Sequence, residues 1–243
     1  MLMEDDGYYF GIGAFETISV EQGKPQFLKE HYKRLMHTLK FLEIHRDLEE
    51  IKKKTEEALA EGEMQSGRKA LKVTVSQENL IINVRENPYK KADYERGFSA
   101  AFSSVRRNET SPLVFHKTLN YGDCIMEKRK GKKSGIDEPI FLNTKNEISE
   151  GATTNVFFIK DKKIYTPAKE CGLLPGIIRQ CLLETYPVEE KRIFPEDISQ
   201  YDEMFVTNSL LGIMPVKNLG IFQFRSMEQS KKIYENIRKR KSF

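Results

Sequence analysis

The sequence predicts an α+β protein built as two lobes. Three observations support that class. Alternating, strand-like segments are interleaved with amphipathic helical ones along the chain. The 243 residues suffice to bury one large core or two that share a cleft. One polar, proline-containing stretch, VRRNETSPL, interrupts the pattern and reads as an interlobe connector. The expected division is a small N-terminal lobe at 1–104, the connector at 105–113 and a larger C-terminal lobe at 114–243.

In chain order, Ala14 to Val20 alternates and is rich in strand formers. Gln22-Gly23-Lys24-Pro25 then turns the chain into a second strand, Gln26 to Leu28. From Lys29 to Ile44 the residues Tyr32, Leu35, Met36, Leu39 and Leu42 recur at helical spacing. A charged helix is expected from Leu48 to Met64. A hairpin is expected from Ala70 to Ser76 and Leu80 to Arg85, and a further strand from Gly97 to Ser104. The second lobe opens on VFHKTLNYGD, read as leading into a helix that runs to Ser134. Strands are expected at Glu138 to Leu142, Thr154 to Ile159 and Lys163 to Thr166. GLLPGIIRQCLLE reads as a turn opening a helix. Val188 to Ile193, Met204 to Thr207 and Ile213 to Val216 complete the strands, and a helix closes the chain. No internal repeat or low-complexity segment is present.

Composition excludes several functions. Forty Lys and Arg against 36 Asp and Glu leave a net charge of +4, too small and mixed to demand nucleic acid or an acidic membrane. The one concentrated basic run, Arg238-Lys239-Arg240-Lys241, ends a helical pattern, where cations complement the helix dipole. Met1-Leu2-Met3 runs straight into Glu4, Asp5 and Asp6, so no signal peptide is expected. No apolar run approaches the roughly 20 residues of a membrane span. Cys124, Cys171 and Cys181 are odd in number and form no C-x-x-C, which points away from disulfides and zinc and toward a reducing cytoplasm.

Four segments have residues suited to chemistry. Lys117 lies among Phe115, His116, Leu119 and Tyr121. Aromatic crowding would lower its pKa and suit a Schiff-base amine, but a stem that packs while the head reaches solvent is the simpler account of the segment alone. ISEGATTNVFF places Glu150 beside a glycine turn with the hydroxyls of Thr153 and Thr154. That arrangement suits a heteroaromatic cation, or a plain polar turn. LLPGIIRQ opens a helix whose first N–H groups form an anion site, as many helix starts do. VTNSLLGIMPV leaves a strand through Thr207, Asn208 and Ser209, a second turn able to face a phosphate. Taken together, a lysine, a carboxylate and two phosphate-capable turns are what a pyridoxal phosphate site requires.

The order and wording of these segments resemble the fold-type IV pyridoxal phosphate enzymes. That family includes branched-chain and D-amino-acid aminotransferases and aminodeoxychorismate lyases. The likeness starts at YYFGIGAFETISV and EHYKRL. It continues through HKTLNY, DEPIFLNTKNEISEGATTNVFFIKDKKIYTP, GLLPGIIRQ and MFVTNSLLGIMPV, and so spans nearly the whole chain. It implies a small α/β lobe, a larger lobe with a mixed, barrel-like sheet, and pyridoxal 5'-phosphate in the cleft between them. It implies Lys117 as the Schiff-base lysine and Glu150 as the partner of the pyridine nitrogen. Tyr121 would touch the phenolic oxygen. Arg34, the backbone of Ile177 and Ile178, and Asn208 with Ser209 would hold the phosphate, and Thr153 and Thr154 would also bind the cofactor. Three departures from the family's wording stand out: Ile12 replaces a common Asp, Ile178 replaces a common Thr, and KVTVSQENL lacks a Ser/Thr-Arg-Gly.

Motif wording favours the lyases, since TNSLLGIMPV resembles their turn and the missing Arg-Gly removes part of a carboxylate trap. The expected reaction converts aminodeoxychorismate to 4-aminobenzoate and pyruvate, in folate biosynthesis. Lys117 would act as base and Thr17 as proton donor to the leaving group. Phe15, Arg106 and Arg107 would meet the substrate, although the two arginines serve equally well to fix the connector. The alternatives are a branched-chain or D-amino-acid aminotransferase and, more remotely, a non-catalytic binding paralogue. A small-molecule amino substrate, a homodimer, a cytoplasmic location and no nucleic-acid or membrane partner complete the expectation.

Overall fold

The computed structural model describes residues 2–240, so Met1 and Lys241 lie outside the described residues. The chain divides into two compact units, one of residues up to 88 plus 116–121, the other of 89–115 plus 122 onward.

In the first unit, α1 (Asp6–Phe10) precedes β1 (Gly13–Glu21) and a two-residue β2 (Lys24–Pro25). The link between the two strands turns through positive φ at Gln22 (51°) and Gly23 (78°), the geometry that matches strand twist. The strand expected at Gln26 to Leu28 does not form. Phe27 adopts φ 54°, and Leu28 already starts α2 (Leu28–Phe41). That helix stops three residues before the expected Ile44 because Glu43 turns left-handed at φ 58°. α3 (Leu48–Ala60) is N-capped by Asp47, whose side chain accepts from the Glu49 N–H. β3 (Arg68–Ser76) and β4 (Leu80–Glu86) complete an antiparallel sheet of order β2-β1-β3-β4. One face buries Ala14, Ile18, Val20, Leu71, Val73 and Val75 with Tyr32, Leu35, Leu39 and Ile51 from the helices. Strand alternation therefore turns Phe15, Thr17, Lys72 and Thr74 to the opposite face.

The second unit contains α4 (Lys91–Arg96), β5 (Phe98–Arg107), α5 (Gly122–Lys133), β6 (Glu138–Asn143), β7 (Ile148–Gly151), β8 (Asn155–Lys160) and β9 (Lys163–Pro167). α6 (Ile177–Thr185), β10 (Val188–Lys191), β11 (Glu203–Asn208), β12 (Gly212–Leu219), β13 (Phe222–Gln223) and α7 (Glu228–Arg240) follow. The sheet order is β10-β9-β8-β11-β12-β5-β6-β7, with β13 on β12. The sheet combines parallel pairs (β9 with β10, β5 with β12 and β6) with antiparallel ones and so is mixed. It curls until its ends approach: β7 packs near β9, and the Ile148 N–H donates to the Ile193 carbonyl at 2.7 Å. Met204, Val206, Met214 and Val216 with Phe98, Ile140, Val156 and Phe158 fill the concavity. Among the described residues no helix is long and apolar enough to cross a membrane.

The division falls elsewhere than the sequence suggests. The strand expected in the first lobe is β5, which pairs in parallel with β12 and β6 of the second. Much of the expected connector is strand to Arg107 and a 3-10 turn at Pro112–Phe115. Residues 116–121 return to the first unit instead of opening a helix, which begins only at Gly122. Pairings across more than 100 residues decide both points, and no local signal reveals them.

Candidate active site

Lys117 is placed by backbone pairing. The Phe15 N–H donates to the Lys117 carbonyl (3.0 Å) and the Leu119 N–H to the Gly13 carbonyl (2.8 Å), with Ala14 and Thr118 forming a bridge. The segment thus extends the first sheet along the start of β1. Gly11 allows the approach: its φ is 70°, and its carbonyl accepts from Asn120 Nδ2 at 3.0 Å. Lys117 Nζ then lies 4.3 Å from the Phe15 ring centroid and 4.9 Å from that of Tyr121, the two rings meeting edge to face at 5.1 Å. The aromatic crowding expected at this lysine is real, but Phe15 supplies it and Phe115 does not. Tyr121 joins it through an extended segment and not through the helical turn expected there.

Thr17 lies half-buried on the same sheet face as Phe15, opposite Lys72 in register. Lys72 is a residue that motif reading missed. Its Nζ sits 4.7 Å from the centroid of Phe15, and burial followed by repulsion from Arg85 lowers its pKa. Period-two alternation in KVTV could have placed it there. Only the register of β1 against β3 puts it beside Phe15.

Arg34, on α2, reaches back to β1. Its Nε donates to Glu16 Oε1 at 2.7 Å and its Nη2 to Oε2 at 2.6 Å. His31 Nδ1 stands 2.6 Å from the same Oε2. Burial alone would raise the Glu16 carboxyl, but Arg34 and His31 outweigh it and bring it down to about 2.

The second unit gathers its own set. Glu150, 6% exposed on β7, meets Arg107 Nη2 at 2.8 Å through Oε1 and accepts the Leu174 N–H at 2.9 Å through Oε2. The expected glycine turn around Glu150 is in fact a buried strand, followed by the tight turn of Ala152 to Thr154. Leu174 also accepts from Asn155 Nδ2 at 2.8 Å, so the carboxylate and the loop into α6 are held together. At the start of α6, Ile177 and Ile178 lie in a first turn that has no side-chain cap. A Cβ on the N-cap residue Gly176 would collide with Asn155 Oδ1, so the close approach requires glycine.

Asn208 Nδ2 donates to the Thr153 carbonyl (3.1 Å), and its Oδ1 accepts the N–H groups of Leu210 and Leu211 at 2.9 Å. Ser209 sits half-buried within that turn. Thr207, just before it, keeps a buried hydroxyl with no partner among the described residues. Thr153 and Thr154 are engaged differently from their expected role. Their hydroxyls and the Thr153 N–H donate to Glu138, a fully buried carboxylate that Lys128 neutralises. Arg107 likewise departs from a substrate role, being committed to Glu150 with its guanidinium over the Phe141 ring. Arg106 donates to Asn146 Oδ1 at 3.2 Å near the surface.

The profile of the amino-transferase class IV family matches residues 13–219, and the chain belongs to that family. A protein of Aquifex aeolicus named "Probable branched-chain-amino-acid aminotransferase" is 28% identical over 238 residues, covering 87% of this chain and 76% of its own. The aminodeoxychorismate lyase of Bacillus subtilis is 27% identical over 230 residues, covering 87% and 78%. The crystal structure of 4-amino-4-deoxychorismate lyase from Pseudomonas aeruginosa superposes with a TM-score of 0.86 at 23% identity, covering 100% of this chain and 96% of that one. The mixed α+β fold with its curled half-barrel sheet is that of the fold-type IV structures.

The class IV family uses pyridoxal 5'-phosphate, and the residues present fit that group. Each unit, taken by itself, holds groups of the kind the cofactor requires. The first has an amine against two rings and a fixed guanidinium. The second has a buried carboxylate, an uncapped helix start cleared by Gly176 and an unsatisfied hydroxyl at the neighbouring turn.

Proposed function

We propose that the protein is an aminodeoxychorismate lyase that works with pyridoxal 5'-phosphate and forms 4-aminobenzoate and pyruvate. The observation that supports this most is the face of the first sheet turned away from its helices, where Lys117, Lys72, Phe15 and Thr17 stand together. Phe15 offers an apolar wall, and Lys72 is a half-buried cation for which no ion pair is recorded among the described residues. Such a face suits a cyclic substrate with carboxylates.

The bound cofactor supplies a carbonyl to hold the substrate amine and a ring that accepts electron density from the substrate carbon. Lys117 is the residue that carries it and then, as a free amine, takes the proton from substrate C4. Glu150, paired with Arg107 at 2.8 Å, would be the partner of the pyridine nitrogen. Thr17 would donate a proton as the enolpyruvyl group departs, and Tyr121, whose ring centroid lies 4.9 Å from Lys117 Nζ, would touch the cofactor. Arg34, the first turn of α6 and the Asn208-Ser209 turn grip the phosphate. Lys72 takes the role of meeting substrate carboxylate that the sequence alone assigns to Arg106 and Arg107.

A branched-chain or D-amino-acid aminotransferase is the second reading, favoured by the likeness to the Aquifex protein. Incubation with enzymatically made aminodeoxychorismate, followed by 4-aminobenzoate fluorescence, separates the two. Turnover abolished by Lys117→Ala supports the lyase. Rapid conversion to the pyridoxamine form by amino acids, without 4-aminobenzoate, refutes it. A homodimer in a reducing cytoplasm accompanies this reading, in line with an odd number of cysteines and no C-x-x-C.

A further inference from the structure

We propose that Glu16 is the positioning residue for the phosphate grip: it sets the plane of the Arg34 guanidinium and so confers preference for a phosphorylated cofactor over its unphosphorylated form. This rests on the reading that Arg34 meets the cofactor phosphate.

Glu16 points inward from β1 and is 1% exposed, a costly place for a carboxylate. It is retained with both oxygens engaged. Arg34 closes a two-point fork on it through Nε and Nη2 at 2.7 and 2.6 Å. A fork fixes the orientation of the guanidinium as well as its position, which a single point contact does not.

His31 lies three residues before Arg34, on the same helix face, and adds a third contact at 2.6 Å. His31 is fully buried and, among the described residues, its Nε2 has no hydrogen-bond partner, so Glu16 is the polar group that engages the ring there. Burial lowers the pKa of that imidazole against the pull of Glu16. An arginine set this way before the ligand arrives loses little freedom when it binds.

Charge and geometry make opposite forecasts here. If charge dominated, removing the negative Glu16 would strengthen the pull of Arg34 on a phosphate. If geometry dominates, the fork is lost and the grip weakens. The test titrates the full-length chain, stripped of cofactor, with pyridoxal 5'-phosphate and separately with pyridoxal. In wild type the phosphorylated form binds more tightly; equal affinities there would refute the phosphate-cup reading itself.

In Glu16→Gln, which keeps the shape but breaks the fork, pyridoxal phosphate affinity is expected to fall about tenfold or more while pyridoxal affinity stays within about threefold. The same change made in an Arg34→Met background is expected to have no further effect on the ratio. A ratio unchanged or increased in Glu16→Gln overturns the proposal, as does an undiminished effect without Arg34. Should Glu16→Gln fail to fold, Glu16→Asp, too short to span both contacts, is read by the same ratio.

Discussion

Glu138 offers the sharpest test of how the second unit is held. Replacing it with Gln keeps its volume but removes a charge that is 0% exposed. The carboxylate accepts the Thr153 N–H at 2.8 Å and the Thr154 hydroxyl at 2.9 Å, and it pairs with Lys128. Burial disfavours the Lys128 ammonium, yet the attraction of Glu138 holds its pKa above the usual lysine value. Stripping one partner from a fully buried pair costs about 3–5 kcal/mol. Lys128 is 28% exposed, so water softens the loss, and about 2–4 kcal/mol is expected.

Urea denaturation of Glu138→Gln, Lys128→Met and the double variant measures this, through midpoints at unchanged slope and the coupling between the two sites. Coupling of at least about 1 kcal/mol is expected, together with faster hydrogen exchange at the Thr153 amide. Additive effects, or a loss below about 0.5 kcal/mol for Glu138→Gln, would refute the account.

Three further outcomes follow from the same structure. Asp5 accepts from Ser76 Oγ, Asn79 Nδ2 and the Tyr8 and Glu78 amides. Burial works against its ionised form, but those bonds bring its pKa down to about 2. Asp5→Ala should cost about 1–3 kcal/mol in chemical denaturation. Because the folded pKa lies below the unfolded value, the contribution is complete above roughly pH 4 and disappears as the pH falls through about 2.

The Cys171 thiol is pushed up to about 12 by burial and by neighbouring Glu147. A disulfide reagent at pH 8 should therefore leave it unmodified until the chain unfolds, and rapid labelling in the native state would contradict that environment. Lys72→Met should raise KM for a carboxylate-bearing substrate roughly tenfold to a hundredfold with kcat little changed. An unaltered KM would remove Lys72 from the binding face.

Much of the candidate site was legible from residue order. The Lys117 segment, the Glu150 strand, the start of α6 and the Asn208 turn each contain a local signal, and the family's wording lies within such local stretches. Helices α2 and α3 and strands β1, β3 and β4 also follow from periodicity, because their apolar residues repeat at the spacing of the face they bury. Sequence alone thus determined the class of protein, its cofactor and the residues most worth testing.

Tertiary structure decided what depends on register and long-range pairing. β5 joins β12 and β6 because parallel pairing draws on partners about 40 to 120 residues away. Residues 116–121 leave the helix expected of them to pair with β1, which places Phe15 rather than Phe115 against Lys117. Cross-strand register brings Lys72 to that same ring. Buried charge was the other hidden layer. Glu138 and Glu16 look like ordinary surface acids in the sequence, and only burial shows that each must be neutralised. A carboxylate's neighbours in space, not in sequence, decide whether it is solvated or built into a site.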